Sequence, residues 1–430
     1  MINIVLLGGS NSVGRYGLQK GLSQDNVKLH NLALGSTTSI QNLYELKRTR
    51  NASILKSADL IISESNVNEY NSFSHKYERL PLHIIYRNLF LLYSELSKLN
   101  KKILILLLPR SSEAIDGIHK YFVNKFNFNI IDINSYYKNK NITDLIAIEG
   151  SHPFWTFMRE LGVNIVHNIH CFHLVKNECD NPFLLDFKIC DSCDMKVISG
   201  DVVKKKYNNS VYSEEISQLQ KDTVMVFPKK YYGYYLLAVH TWNKLNENIN
   251  IKSTSLLKNY SIVKICNQKY KISKVSNFLN SVVEFQEEHL EITADMTLCI
   301  SLEDVCITEF HHAAHTWEND SKCHNTLDLV SFFLLKKDCD IAVLKNTKIS
   351  QEINKKCIFN HIIPPMEKYK EILDEFCNRF LGLNIYENNK INYIKNLVFD
   401  QFQKQTNDFN NKKYIKREQV NLIYYNKSFS

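Results

Sequence analysis

The sequence predicts an α/β domain on a parallel sheet, then an antiparallel β domain, then a helical tail. Three observations carry this. Apolar strand-like runs alternate with helix-length amphipathic segments over residues 1 to about 170. From about residue 180 the runs become short and often alternating. From about Pro365 an apolar spacing of 3.6 residues returns.

The first region is taken in chain order. Ile2 to Leu7 is a buried strand ending at Gly8-Gly9, and Val13 to Leu22 has helical spacing. Lys28 to Leu34 is a second strand closed by Gly35, and Ser39 to Lys47 is helical. Asp59 to Ser63 is a third strand, and Pro81 to Leu99 is a long amphipathic helix. Lys102 to Leu108 is a fourth strand, stopped by Pro109, which cannot extend a ladder. Glu113 to Phe126 is helical, and Asn127 to Ile133 is a fifth strand. Pro153 to His167 is a closing helix, with Pro near its start where no helical N–H is needed.

The second region holds seven short runs: Phe183 to Cys190, Thr223 to Phe227, Tyr231 to Thr241, Tyr260 to Cys266, Ser281 to Phe285, Met296 to Leu302 and Leu327 to Leu335. Their number and alternation predict a sandwich or jelly roll. Met366 to Phe380 and Ile391 to Gln405 are the helices of the tail. The expected division is 1–172, 173–362 and 363–430.

At 430 residues the chain is too long for one ordinary core. With 44% hydrophobic and 23% charged residues it belongs with soluble globular proteins. The formal charge of +8 is dispersed, apart from short runs such as Lys204-Lys205-Lys206. No basic stripe interleaved with aromatics is present, so nucleic acid is not an expected partner. No run approaches the ~18 apolar residues that span a bilayer. Met1 is followed at once by the apolar Ile2 to Leu7, without a basic leader or cleavage site, and the eleven Cys have no regular spacing. A cytoplasmic protein with reduced thiols is therefore expected.

The residues best suited to chemistry begin with Gly8-Gly9-Ser10-Asn11-Ser12-Val13-Gly14, a Gly-rich turn from strand to helix. A phosphate loop would need Lys after the last Gly, and none follows. The dinucleotide fingerprint fits in no register. A nucleophile elbow fails because Ser12 stands in place of its last Gly. What remains is Ser10 between a strand and a helix, where backbone N–H groups favour a developing negative charge. The plainer reading of Ser10 is a helix cap.

The order of motifs resembles the SGNH (GDSL-like) hydrolases. Gly9-Ser10-Asn11-Ser12 stands where they carry a G-D-S-type motif. Leu32-Ala33-Leu34-Gly35-Ser36 matches their second block. Ser65-Asn66-Val67-Asn68-Glu69 matches their G-x-N-D block, with Asn66 for Gly and Glu69 for Asp. Glu149-Gly150-Ser151-His152 matches their D-x-x-H, with Glu for Asp. The resemblance implies a flavodoxin-like, doubly wound sheet of five parallel strands. It implies Ser10 as nucleophile and His152 as general base, with Glu149 orienting the imidazole. It also implies an oxyanion hole from the backbone N–H groups of Ser10 and Gly35 and the amide of Asn68. The implied activity is that of a serine esterase or O-acyltransferase without a cofactor. The whole arrangement resembles SGNH proteins associated with bacterial surface-polysaccharide biosynthesis. A carbohydrate or polysaccharide precursor is the expected substrate, with acetyl-CoA as a possible acyl donor. The alternative is an inactive SGNH fold serving as a glycan-binding scaffold.

Two further patterns compete. Asp116-Gly117-Ile118-His119 is a literal D-x-x-H inside a helical segment, ahead of the place where the family's His falls. Metal-ligand types cluster at Cys190 and Cys193 with Cys179, at His167, His170, Cys171 and His173, and at His311, His312 and His315. None has the spacing of a known zinc motif, so no metal is expected.

Overall fold

The structure is a computed structural model. It describes residues 1–75, 79–143, 145–146, 150–175, 185–245, 258–301, 306–311, 321–337 and 353–376. The first unit runs β1 (Ile2–Leu7), α1 (Ser10–Val13), α2 (Leu18–Leu22), β2 (Val27–Asn31), α3 (Ser39–Lys47), α4 (Ala52–Ser57), β3 (Leu60–Glu64), α5 (Asn66–Ser74) and α6 (Leu82–Ser97). It continues with β4 (Lys102–Leu107), α7 (Glu113–Phe126), β5 (Asn129–Asp132), α8 (Ile133–Asn139) and α9 (Trp155–His167). The five strands are parallel in the order β2-β1-β3-β4-β5, the flavodoxin-like order. Alternate residues serve opposite faces. Val5, Leu7, Ile61, Ile103 and Ile105 pack under α3, α6 and α7. Ile4, Leu6, Ile62, Leu104 and Leu106 pack under α2 and α9. Both faces are covered, which is why these strands are continuously apolar.

The strand order reverses between β1 and β3. Loops leaving those two strands diverge there and open a crevice at the carboxyl edge. The expected helix from Val13 to Leu22 is instead two short helices, parted at Gly14 to Gly17, where Gly disfavours continuation. α2 crosses α9 at unusually short range. A Cβ on Gly21 would stand 1.9 Å from the Arg159 carbonyl oxygen, and one on Gly162 would stand 2.8 Å from that of Leu18.

The second unit contains β6 (Leu185–Asp191), β7 (Lys196–Ser199), β8 (Val202–Asn208), β9 (Ser213–Leu219), β10 (Val224–Val226), β11 (Tyr235–Trp242), β12 (Asn259–Cys266), β13 (Lys271–Asn277), β14 (Asn280–Glu284), β15 (Thr297–Ser301), β16 (Lys322–Cys323) and β17 (Leu327–Lys337). They form a sandwich. One sheet is β13-β12-β15-β10-β7, with β16 on β12. The other is β14-β11-β17-β9-β8, with β6 on β17. Val263, Phe285, Leu298, Phe332 and Leu334 fill the space between them. The second sheet is also buried on its outer face, where Ala238, Phe333 and Leu335 pack with Ile40, Tyr44 and Ile84 of α3 and α6. That explains why β11 is buried from Leu236 to Trp242 and its apolar run Leu236 to Val239 does not alternate.

Strands β7, β8 and β9 have no counterpart among the expected runs. β7 and β8 are sheet edges, and their Lys196, Lys204 and Lys206 are exposed. Edge strands carry such charges to block further pairing, so their sequence resembles solvated surface.

After β17 the chain returns to the first sheet. Ile358 bridges Ile130 of β5, and the Phe359 N–H donates to the Ile130 carbonyl at 2.9 Å. Phe359, Ile362, Ile363 and Met366 then join Ile131 and Phe172 in one core, followed by α10 (Met366–Phe376). The expected helix at 391–405 lies outside the described residues. No helix among the described residues is long and apolar enough to cross a membrane.

Gly21→Ala tests the α2–α9 crossing. Alanine is the better helix former by about 1 kcal/mol. The clash is with rigid backbone, so overpacking should win, with a net loss of about 1–3 kcal/mol. Urea denaturation measures it, and unchanged stability would show that the close crossing does not constrain the fold.

Candidate functional site

The turn Gly8-Gly9-Ser10 leaves β1 at the point where the strand order reverses. Its glycines are required by close approach. A Cβ on Gly8 would lie 2.4 Å from Ser12 Oγ and 2.7 Å from Glu64 Oε1, and one on Gly9 would lie 2.0 Å from Asn68 Nδ2. Gly9 is the N-cap of α1, and Ser10 is the first helical residue. The Ser10 side chain is therefore not the cap. Its Oγ lies 2.8 Å from His152 Nε2, at the start of the chain segment leading into α9.

The loop carrying His152 is held on both sides. Gly150 has φ +64°, a conformation that favours glycine. Asn11 Nδ2 donates to the Ser151 carbonyl at 3.1 Å, and Asn71 Nδ2 donates to Ser151 Oγ at 3.4 Å. Asn11, a departure from the commonest family motif, thus links the Ser10 helix to the His152 loop. Glu149 lies outside the described residues.

On the opposite side the Leu34 N–H donates to the Gly8 carbonyl at 2.9 Å. Gly35 and Ser36 form a turn, with Ser36 at φ +57°. Asn68 stands in the first turn of α5, and its Nδ2 donates to the Thr37 carbonyl at 2.7 Å. This bond ties the loop after β2 to the segment after β3. An amide nitrogen carries two hydrogens, so this bond uses one of them. The structure thus brings Ser10, His152 and Asn68 together, with the Gly35 turn pinned beside them.

Glu64 is a residue of the site that the sequence reading missed. It ends β3 and is almost wholly buried beneath the turn. Its Oε1 accepts from the Gly9 N–H at 2.8 Å and from Ser12 Oγ at 2.9 Å. Ser12 is thereby engaged below the turn. Loss of hydration pushes the Glu64 carboxyl up to about 7, against the bonds donated by Ser12 and Gly9. The available signal was a carboxylate closing an otherwise apolar strand.

The competing D-x-x-H pair belongs to the frame. Asp116 accepts from Asn134 Nδ2 at 2.6 Å and from Asn66 Nδ2 at 3.3 Å. His119 Nδ1 is 2.7 Å from the Tyr93 hydroxyl, and its Nε2 is 3.4 Å from Glu69 Oε2. Glu69 also accepts from the Ser39 N–H at 2.7 Å. Burial alone would lift Glu69, but the His119 and Ser39 contacts hold its carboxyl below the usual range. Asn66 bonds both the N–H and the carbonyl of Leu108, tying α5 to the end of β4. The departures Asn66 and Glu69 are therefore built into the scaffold behind the site.

The metal-ligand types do not converge. Among the described residues no group of three or more His, Cys, Asp or Glu is placed to hold a metal. Cys190 is buried, which pushes its thiol up, while Cys193 is exposed. Cys179, His312 and His315 lie outside the described residues.

No protein-family model matches the chain, and neither does any curated protein. Similar solved structures include a member of the lipolytic protein G-D-S-L family from Veillonella parvula, at 16% identity, covering 39% of this chain and 97% of that one, with a TM-score of 0.30. A lipase from a goat rumen metagenome is 15% identical over 39% of this chain and 97% of its own, with a TM-score of 0.31. An acetyl xylan esterase is 18% identical over 32% of this chain and 82% of its own, with a TM-score of 0.27.

Glu64→Gln keeps an acceptor for both donors and removes the titration. Because the folded value of about 7 lies above the ordinary 4.5, the stability that Glu64 contributes is full below pH 4.5 and is lost as pH rises through 7. Across that window the stability of the wild type should fall relative to the variant by roughly 3 kcal/mol. Parallel pH-dependent denaturation measures this, and a flat difference curve would show that Glu64 does not titrate there.

Proposed function

We propose that the chain is a serine ester hydrolase or O-acyltransferase of the SGNH kind, acting on ester-linked acyl groups of a carbohydrate, acetyl being the favoured acyl. The contact between Ser10 Oγ and His152 Nε2 carries the reading. Serine is a weak nucleophile until a base takes its proton, and this distance is within reach of proton transfer. In the proposed reaction Ser10 Oγ bonds to the acyl carbon while its proton passes to His152. The carbonyl oxygen gains the negative charge, which the N–H groups of Ser10 and Gly35 and the Asn68 amide stabilise. The oxyanion then collapses, the bond between the acyl carbon and the sugar oxygen breaks, and the leaving sugar hydroxyl takes the proton from His152. Water attacking the acyl-Ser10 completes hydrolysis, and a second sugar hydroxyl in its place completes transfer. Glu149 is the proposed partner of the imidazole Nδ1–H.

The proposed setting is cytoplasmic, on lipid-linked or nucleotide-linked precursors of a bacterial surface polysaccharide, with acetyl-CoA as donor in the transfer case. The departures Asn66 and Glu149 motivate the alternative, a non-catalytic glycan-binding scaffold; Asn66 bonds the backbone of Leu108, and Glu149 lies outside the described residues.

The test is active-site labelling with a fluorophosphonate, read by intact mass. Wild type should gain one adduct and Ser10→Ala none. A well-folded wild type that takes no label would overturn the reading. With a turned-over ester such as p-nitrophenyl acetate, Asn68→Ala should lower kcat by about 10²–10³-fold. A kcat within twofold of wild type would remove Asn68 from the oxyanion hole.

A further inference from the structure

Two large aromatic side chains stand exposed beside the Ser10–His152 pair. Tyr16 is 54% exposed and Trp155 is 39% exposed. Each follows one member of the pair closely in sequence. Gly14, whose N–H bonds the Ser10 carbonyl at 3.1 Å, lies two residues before Tyr16. Trp155 opens α9 three residues after His152. Their ring centroids are 5.3 Å apart with planes at 32°. The indole lies along Gly14 and Gly17, at ordinary contact distance. A Cβ on Gly14 would reach to 4.0 Å from Trp155 Nε1, and one on Gly17 to 3.7 Å from Cδ1.

Large apolar rings left in water forgo the gain that burial brings. The same helix buries Phe157, Met158 and Leu161, so it has the means to turn its apolar groups inward. A pair of partly exposed rings offers a ligand contact on one side only. A long acyl chain gains most when it is surrounded. A sugar ring needs only one flat contact, with its C–H face on the aromatic surface and its hydroxyls in water.

We propose that Tyr16 and Trp155 form a sugar-ring subsite, which holds the carbohydrate part of the ester while its acyl carbon meets Ser10. This rests on the function proposed above and names the substrate class that the site accepts. Tyr16→Ala and Trp155→Ala are compared with Trp155→Phe, all checked for wild-type melting temperatures. The readout is the ratio of kcat/KM for glucose pentaacetate to that for p-nitrophenyl acetate. Both alanine variants should lower this ratio about tenfold through KM, the equivalent of one good stacking contact, and Trp155→Phe should retain most of it. An unchanged ratio overturns the subsite, as does an equal loss on p-nitrophenyl octanoate, which would mark an acyl-chain site. Binding is measured separately by tryptophan fluorescence with xylotriose, cellotriose and chitotriose, which carry no scissile ester. Saturable binding lost in Tyr16→Ala supports the subsite even where the wild type turns over no ester. That pattern would sink the catalytic reading alone. No saturable binding of any of the three by wild type overturns the subsite.

Discussion

The site depends on one close contact far below it, the crossing of α2 and α9. Ser10 and His152 are 142 positions apart in sequence. Ser10 opens α1, which leads into α2, and His152 lies just ahead of α9; α2 and α9 touch where Gly21 and Gly162 lack side chains. A larger residue at either point would push the helices apart. Such a displacement matters, because the contact between Ser10 Oγ and His152 Nε2 is only 2.8 Å long. The crossing lets two local structures, each well formed on its own, meet with ångström accuracy. Asn11 and Asn71 add the finer adjustment by gripping Ser151.

Beneath the turn the protein accepts a cost. Glu64 is buried under Gly8 and Gly9, and a carboxyl without water resists ionisation. In return it fixes the Gly9 N–H, one residue before Ser10, and Ser12, two residues after it. Behind it, Asp116, Asn134 and Asn66 form one buried cluster, and Glu69, His119 and Tyr93 form another. Such groups are tolerable inside a protein because nearly every donor meets an acceptor. They hold α5 firmly, and α5 carries Asn68.

The sandwich is joined to the same framework by both apolar and polar contacts. Its second sheet lies on α3 and α6. Arg48 bonds Glu214 through both terminal nitrogens, at 2.8 and 2.5 Å. Glu284, buried on β14, accepts from Thr38 and Asn88. The hairpin between β8 and β9 reaches the site's border. The Tyr212 hydroxyl donates towards the Leu32 and Ala33 carbonyls, and Arg15 donates to Ser210 Oγ at 3.2 Å. The sandwich therefore braces the loop that carries Gly35, and its hairpin tip stands beside the segment that carries Tyr16.

The sequence by itself determined the parallel sheet, because strands buried on both faces must be apolar throughout and are then separated by amphipathic helices. The order of its motifs resembles that of the SGNH hydrolases, which pointed to Ser10, Gly35, Asn68 and His152, and the first three of these follow β1, β2 and β3. The tertiary structure decided the rest. The burial of Glu64 depends on a glycine turn that arrives from 55 residues away. Asp116 and His119 have the same three-residue spacing as Glu149 and His152, yet they face Asn66 and Glu69 of α5, Tyr93 of α6 and Asn134 of α8 because α7 packs among those helices. The edge strands β7 and β8 escape a hydrophobic pattern because they have one neighbour and water on the other side. The return of residues 358–366 to β5 is invisible in sequence, since a few apolar residues state that they will be buried but not against what. Periodicity records the burial of a face, whereas the partner is chosen only when the whole chain closes.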